Sequence, residues 1–337
     1  MEQVPDVSVV ISTYNRCEIL PRALESLAAQ ETPGFSFEVV VVDNNSTDRT
    51  AEVIEDFVAR HPFFRHVFEG RQGLSHGWNA GVARSRAPVI AFTDDDLVMP
   101  PDWLANIKRA FDGHPEVSFI GSRVLPLWEE AEPPAWLSRQ LWAPLALQDS
   151  EEVFYTDESR PVCLIGKSFR REALDAVGGF RPDLGRVKDA VGSTEDDEMQ
   201  RRIRATGRRG MHVPSVVVHA PVPASRLTKS YFRRWHTGHG RHYALMRVPE
   251  VEDSAVRFFD VPAYMFRQAV GYALGWAWHA ARGRAASAFE RESQLRFLAG
   301  FFRQRRADYR AAGGRGTLGE FLSFTRSIVS SKLLRRT

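Results

Sequence analysis

The sequence predicts an α/β chain built on a mostly parallel central sheet and followed by a helical, Arg-rich extension. Short β-branched runs continuous in apolar character, helical apolar spacing between them, and a jump in basic charge after Arg226 carry that prediction. Val7 to Ser12 and Phe37 to Val42 are the first two strands. Between them Ile19, Leu20, Ala23, Leu24, Leu27 and Ala28 recur at helical spacing, with Pro21 tolerable in a first turn. A helix over Thr47 to Ala59, a strand over Arg65 to Phe68, a helix over Ser75 to Arg84 and a strand over Val89 to Thr93 continue the alternation. Trp103 to Phe111 reads as helix and Val117 to Ile120 as strand, before an irregular, site-covering stretch from Pro126 to Pro144. Arg170 to Val177 and Glu195 to Ala205 read as helices, and Met211 to His219 as a closing strand. Beyond Arg226 the pattern is helical, with interruptions near Gly238 and Gly313. The domains drawn from this are 1–224 and 225–337.

With 43% hydrophobic residues, a 337-residue chain can bury a full-sized core, and disorder is not expected. Two cysteines, Cys17 and Cys163, are too few for a disulfide scaffold, so a reducing, cytoplasmic compartment is expected. The N-terminus shows no basic segment ahead of a long apolar one, and no secretion signal is read. Charge is uneven. Residues 226–337 hold 21 Lys and Arg against 8 Asp and Glu, a balance of +13, while the rest of the chain carries −10. A basic tail of this kind suits nucleic acid, anionic lipid or phosphorylated substrates, and charge alone does not choose among them.

Open parallel sheets bind ligands at the carboxyl ends of their strands, where Asp43-Asn44 and Asp94-Asp95-Asp96 fall. Adjacent carboxylates repel unless solvated or holding a cation. A Mg²⁺ or Mn²⁺ that also bound a diphosphate would remove that cost and stabilise a departing nucleotide. A solvated acidic loop is the plainer alternative. Glu195-Asp196 at a helix start could supply the carboxylate that an acceptor hydroxyl needs as proton acceptor, or could only complement the helix dipole.

The segments VSVVISTYNR (Val7 to Arg16), VVVDNNSTD (Val40 to Asp48), GLSHGWNAG (Gly73 to Gly81), IAFTDDD (Ile90 to Asp96), FRREALDAVGGF (Phe169 to Phe180) and TEDDEMQRRI (Thr194 to Ile203) together resemble the family 2 glycosyltransferases of the GT-A fold. The resemblance covers about residues 7 to 220. It implies an inverting, non-processive, metal-dependent transferase that moves one sugar, hexosyltransferase-like, from a nucleotide diphosphate sugar, a UDP-sugar first, to a hydroxyl. Polysaccharide, glycolipid or other glycoconjugate assembly would be the setting. By the same resemblance Ser12, Thr13, Tyr14 and Asn15 line the base and ribose pocket, and Asp43 or Asn44 bonds the base or ribose. Asn79 belongs to the donor site, Asp94 reaches ribose or metal, Asp95 and Asp96 stand nearer the metal and diphosphate, and some relatives have a metal or diphosphate contact at the position of His219. Asp196 would be the base, with Glu195 beside it.

Two departures stand out. Many relatives have Asp-Asp where this chain has Asp43-Asn44, and the usual Ala-Arg before Asn79 is Gly77-Trp78, so that Arg71 or Gln72 would have to replace the missing arginine. Arg233-Arg234-Trp235 resembles part of a processive-synthase motif, but Tyr231 stands where its Gln would be. A zinc site at His236, His239 and His242 is disfavoured because Gly238 and Gly240 argue against a regular helix. Gly70, Gly73 and Gly77 have the wrong spacing for a dinucleotide fingerprint.

In the extension, Ala269 to Trp278 is uninterrupted apolar sequence too short to span a bilayer, which needs about 20 residues. Arg282, Arg284, Arg303, Arg305 and Arg306 around it suit the inner face of an anionic membrane, where a lipid-linked or glycan acceptor would be met. A helical hairpin packed with a solvated basic face reads equally well. Trp128, Trp136 and Trp142 are candidate sugar platforms or structural residues. Nucleic acid is not an expected partner. A nucleotidyltransferase and a non-catalytic membrane-associated binding protein are the competing readings. The first lacks its Gly-rich basic loop at Thr13 to Arg16.

Overall fold

The structure, a computed structural model, describes residues 3–157, 162, 165–187 and 194–314, so Cys163 and the tail beyond 314 lie outside it. In chain order the elements are β1 (Val7–Thr13), α1 (Leu20–Ala28), β2 (Phe37–Asp43), α2 (Thr50–Arg60), β3 (Phe64–Phe68), α3 (Leu74–Arg84), β4 (Val89–Asp94), α4 (Trp103–Gly113), β5 (Val117–Leu127), β6 (Phe154–Tyr155), β7 (Ser168–Arg170), α5 (Arg171–Val177), α6 (Glu195–Ala205) and β8 (Arg209–Pro221). The remaining elements are α7 (Lys229–Met246), α8 (Pro249–Glu252), β9 (Arg257–Phe258), β10 (Val261–Pro262), α9 (Ala263–Ala281) and α10 (Ala285–Ala311).

Eight strands form one sheet in the order β3-β2-β1-β4-β7-β5-β8-β6. The β3-β2-β1-β4 half is parallel throughout, β5 and β8 are parallel to each other, and only β7 and β6 run against their neighbours. Every residue of β1 is buried, as continuous apolar character requires of a strand covered on both faces. α1 buries Leu20, Ala23, Leu24 and Leu27, the stripe that its spacing predicts. The core joins Val10, Val40, Phe92, Phe119, Phe169 and Ile203 across the sheet and α6.

Register positions the chemistry. Thr13 pairs with Asp43, and Ser12 with Asp94, so the carboxyl ends of β1, β2 and β4 finish in one row. The order reverses between β1 and β4, the switch point at which open α/β sheets leave a crevice.

Three sequence expectations change. The helix expected from Arg170 begins at Arg171, and Ser168–Arg170, where no strand was expected, pairs on both sides with β4 and β5. β5 continues past Ile120 to Leu127 by following β8, with Pro126 opposite Ala220 near its end. α7 runs unbroken through Gly238 and Gly240. A β-carbon on Gly240 would lie 2.0 Å from the Phe297 carbonyl oxygen, and one on Gly300 would lie 2.0 Å from that of Thr237. These glycines allow α7 and α10 to touch backbone to backbone.

Contacts divide the chain into two compact units: residues 1–133, 145–190 and 195–226, and residues 134–144, 191–194 and 227–337. In the second unit Trp136 packs edge-on against Phe232 and Phe289 at 5.1 and 4.9 Å between ring centroids, so it serves packing there rather than covering a site.

Candidate active site

Asp94, Asp95 and Asp96 leave β4 half-buried. Burial, reinforced by the charge of Asp96, raises the Asp94 carboxyl and holds that of Asp95 at about 7, even though Thr13 Oγ1 donates a 2.7 Å hydrogen bond to Asp95. Negative charge is therefore concentrated at this strand end without full compensation. Arg226 answers part of it, with its guanidinium 3.2 Å from Asp96. The Val98 backbone exchanges two 2.9 Å hydrogen bonds with His219, which brings β8 alongside the acidic turn. The His219 imidazole is shifted down by burial.

Opposite stands the start of α6. Asp196 is about 29% exposed at its side chain and lies 2.6 Å from the Lys167 ammonium, which is itself almost fully buried. The Lys167 carbonyl accepts a 2.7 Å hydrogen bond from the backbone N–H of Phe92, two residues before Asp94. Its ammonium sits 3.4 Å from the centre of the Trp78 ring, with Phe92 and Phe180 at 5.6 and 5.5 Å. A buried ammonium needs such partners, since its desolvation is otherwise costly. Glu195 is buried, and burial plus the neighbouring Asp196 hold its carboxyl at about 7. Lys167 and Arg186 each favour the ionised forms of both Asp94 and Glu195, so the strand end and the helix start share one electrostatic field.

The donor-side candidates are brought together around the ends of β1 and β2, but many of their polar atoms are engaged by the protein itself. Asn44 donates to the carbonyls of Glu69 and Arg71 at 3.1 and 2.7 Å and accepts from Gly73 N–H at 2.8 Å. Asp43 accepts from Ser46 N–H at 2.9 Å. Asn15, left-handed at φ 52°, accepts from Thr47 N–H at 2.7 Å. Asn79 clamps both backbone polar groups of Phe180, at 2.7 and 2.8 Å. The exposed Arg71 guanidinium is paired with Glu69 at 2.9 Å, and that pairing holds Glu69 at about 2. Ser12 is buried beneath α3, where a β-carbon on Gly77 would come 2.0 Å from its hydroxyl; Tyr14 follows half-buried.

Lys167, Arg186 and Arg226 were not singled out in the sequence. A lysine directly after Gly166 and the apolar Leu164-Ile165 pair was the available signal for the first.

Residues 8–178 match the sequence pattern of Glycosyl transferase family 2. The chain belongs to that family. It is 25% identical over 252 residues to a glucosyl-dolichyl phosphate glucuronosyltransferase of Haloferax volcanii, spanning 73% of this chain and 80% of that protein. Further curated relatives match over shorter stretches, the chain spanning 24–40% of their own length. Among solved structures, a mannosyltransferase from Pyrobaculum calidifontis in complex with GDP-Man and Mn²⁺ superposes with a TM-score of 0.58 at 22% identity, covering 90% of this chain and 88% of that one. Residues 1–349 of TarS from S. aureus, in complex with UDP-GlcNAc, give a TM-score of 0.50 at 16% identity over 91% and 92% of the two chains. The fold of this family 2 glycosyltransferase is thus of the GT-A kind, with a mostly parallel central sheet.

Proposed function

We propose that this glycosyltransferase is inverting and metal-assisted, and moves a single sugar from a nucleoside diphosphate donor, a UDP-sugar first, to a hydroxyl of a glycan or lipid-linked acceptor in glycoconjugate assembly. The observation that carries the reading is the meeting of Asp94 and Asp96 at the end of β4 with Asp196, tied through Lys167 to the same strand. Asp196 takes the proton of the acceptor hydroxyl. The hydroxyl oxygen bonds to the anomeric carbon from the face opposite the diphosphate, and the electrons of the breaking C–O bond leave with the diphosphate. Lys167 orients Asp196, and Ser12, Thr13, Tyr14 and Asp43 shape the base and ribose pocket.

The residues present fit a divalent cation, because burial first, and then the charge of Asp96, raises the carboxyls of both Asp94 and Asp95, a cost that a bound cation would relieve. Among the described residues no three His, Cys, Asp or Glu side chains converge as a complete metal site, so the donor diphosphate would have to complete the shell. Asp94 and Asp96, with His219 alongside, would hold Mn²⁺ or Mg²⁺. The ion would supply charge neutralisation for the departing diphosphate. The ligands bound by the structural neighbours, GDP-Man with Mn²⁺ and UDP-GlcNAc, support this donor chemistry. The dolichyl phosphate in the name of the Haloferax relative supports a lipid-linked acceptor, met at the inner face of a membrane through the C-terminal region.

Release of nucleoside diphosphate from UDP- and GDP-sugars with Mn²⁺ tests the reading. Asp94→Ala and Asp96→Ala should abolish release and weaken nucleotide binding, and Asp196→Asn should lose about 10²–10⁴-fold in turnover with donor affinity retained. Wild-type turnover in all three variants would end the proposal. Pyrophosphate as the product would install the nucleotidyltransferase reading instead.

A further inference from the structure

The second unit carries a surface that the chemistry above does not use. α9 is 19 residues long, and only Met265 is buried on it. It leans on α10 through Phe266, whose ring lies 4.9 Å from that of Phe302, and through Gly275, beside the Arg291 side chain. Val270, Leu274 and Trp278 follow one another at i, i+4 and i+8 and are exposed by 61, 68 and 56%, with Trp276 exposed by 45%. Between Asp260 and Glu290 the sequence has no acidic residue, while Arg267, Arg282 and Arg284 stand toward the two ends. All three arginines are exposed, and the Arg282 guanidinium lies 3.2 Å from the centre of the Trp278 ring.

We infer that α9 is a monotopic anchor lying in the plane of an anionic lipid surface, with Val270, Leu274 and Trp278 inserted among the acyl chains and the arginines on the headgroups. This rests on, and makes specific, the proposed membrane-side acceptor. An apolar face this continuous is costly in water, and tryptophans beside cations are suited to the depth where hydrocarbon meets headgroup. No helix among the described residues is long and apolar enough to cross a bilayer. Basic flanks without a single carboxylate select an anionic surface over a second copy of the chain, whose own α9 would repel them.

Co-sedimentation of the full chain with phosphatidylcholine vesicles, with and without phosphatidylglycerol, tests this. The wild type should bind the anionic vesicles in a salt-sensitive way. Leu274→Glu with Trp278→Glu should weaken binding by about tenfold or more, the milder Leu274→Ala with Trp278→Ala should fall between, and Arg282→Gln with Arg284→Gln should lose the preference for phosphatidylglycerol. Circular dichroism checks that each variant keeps its helix content. Vesicle binding by the glutamate variant equal to wild type overturns the anchor. So does a wild-type dimer in ultracentrifugation that the glutamates dissociate while vesicles are ignored. Nucleotide release from a soluble donor should be unchanged in these variants; its absence in the wild type alongside intact vesicle binding would overturn the catalytic reading alone.

Discussion

Asn44 occupies a position where the family resemblance leads one to expect an aspartate, and its hydrogen bonds give the reason. Its amide nitrogen serves two backbone carbonyls, those of Glu69 and Arg71, and a carboxylate has no donor for either. At 3% exposure water cannot stand in. Asn44→Asp should therefore destabilise by about 2–4 kcal/mol in denaturant unfolding, as the loss of two buried hydrogen bonds beside a new charge requires; a change within experimental error would return Asn44 to the role of ligand contact. Trp78 marks the second departure. Where the family pattern has an arginine this chain has Trp78, and the Lys167 ammonium stands 3.4 Å from the centre of its ring. The sequence showed that a charge was missing but not that Lys167 stands beside Trp78, because residues 78 and 167 meet only through the sheet. Glu195 gives a pH test. Its carboxyl is held at about 7, above its value in an unfolded chain, so the folded state keeps a proton that the unfolded state releases. Stability then falls as pH rises from about 4 to 7, and Glu195→Gln removes the loss. The melting temperature of Glu195→Gln relative to wild type should be higher at pH 8 than at pH 5, and a difference independent of pH would show that Glu195 ionises freely.

At the scale of elements, periodicity revealed strands and helices that bury their own apolar pattern, and missed those fixed by partners distant in sequence. β1 and β4 were readable because their runs are short and rich in β-branched and apolar residues, VSVVIST and VIAFTD. β7 has three residues and exists because β4 and β5 flank it, and β5 outruns its apolar stretch because β8 extends beside it. Gly238 and Gly240 misled for a related reason. Glycine in a helix costs about 1 kcal/mol relative to alanine, which reads locally as a break. Contact with α10 outweighs that cost. Gly240→Ala should thus destabilise by about 1–3 kcal/mol, since the new methyl meets the Phe297 carbonyl and overpacking exceeds the gain in helix propensity. Gly271 in α9 has nothing within 4 Å of an added β-carbon, so Gly271→Ala should stabilise by up to about 1 kcal/mol. Equal effects of the two substitutions in thermal unfolding would show that the α7–α10 approach is not tight.

Over the whole molecule, the contact boundary at Arg226 lies close to the change from acidic to basic composition along the sequence. Sequence order could not show that residues 134–144 belong with the extension, because their partners Phe232 and Phe289 lie far along the chain. All the candidate site residues fall in the acidic unit, where carboxylates outnumber the cations that face them. If the site takes a metal and a nucleotide as proposed, that imbalance makes their binding interdependent. Without nucleotide, a dication would meet Asp94 and Asp96 with Arg226 already 3.2 Å from the latter, and among the described residues no three ligating side chains converge into a complete site. Without metal, the diphosphate meets the charge of the same carboxylates. Each ligand supplies what the other lacks, so the affinity of either should rise when the other is present, by the same factor in both directions. Thermal unfolding of the full chain should then move little with Mn²⁺ alone or with UDP or GDP alone, and by the equivalent of about 2.7 kcal/mol when both are present at 100 times the dissociation constant of the ternary complex. Asp94→Asn should abolish the joint shift while leaving the unliganded protein at least as stable, because it removes one of the carboxyls that burial and Asp96 already disfavour as anions. A full shift with nucleotide alone, or with Asp94→Asn in place, would mean that the strand-end carboxylates do not hold the ion, and the site would have to be sought elsewhere in the acidic unit.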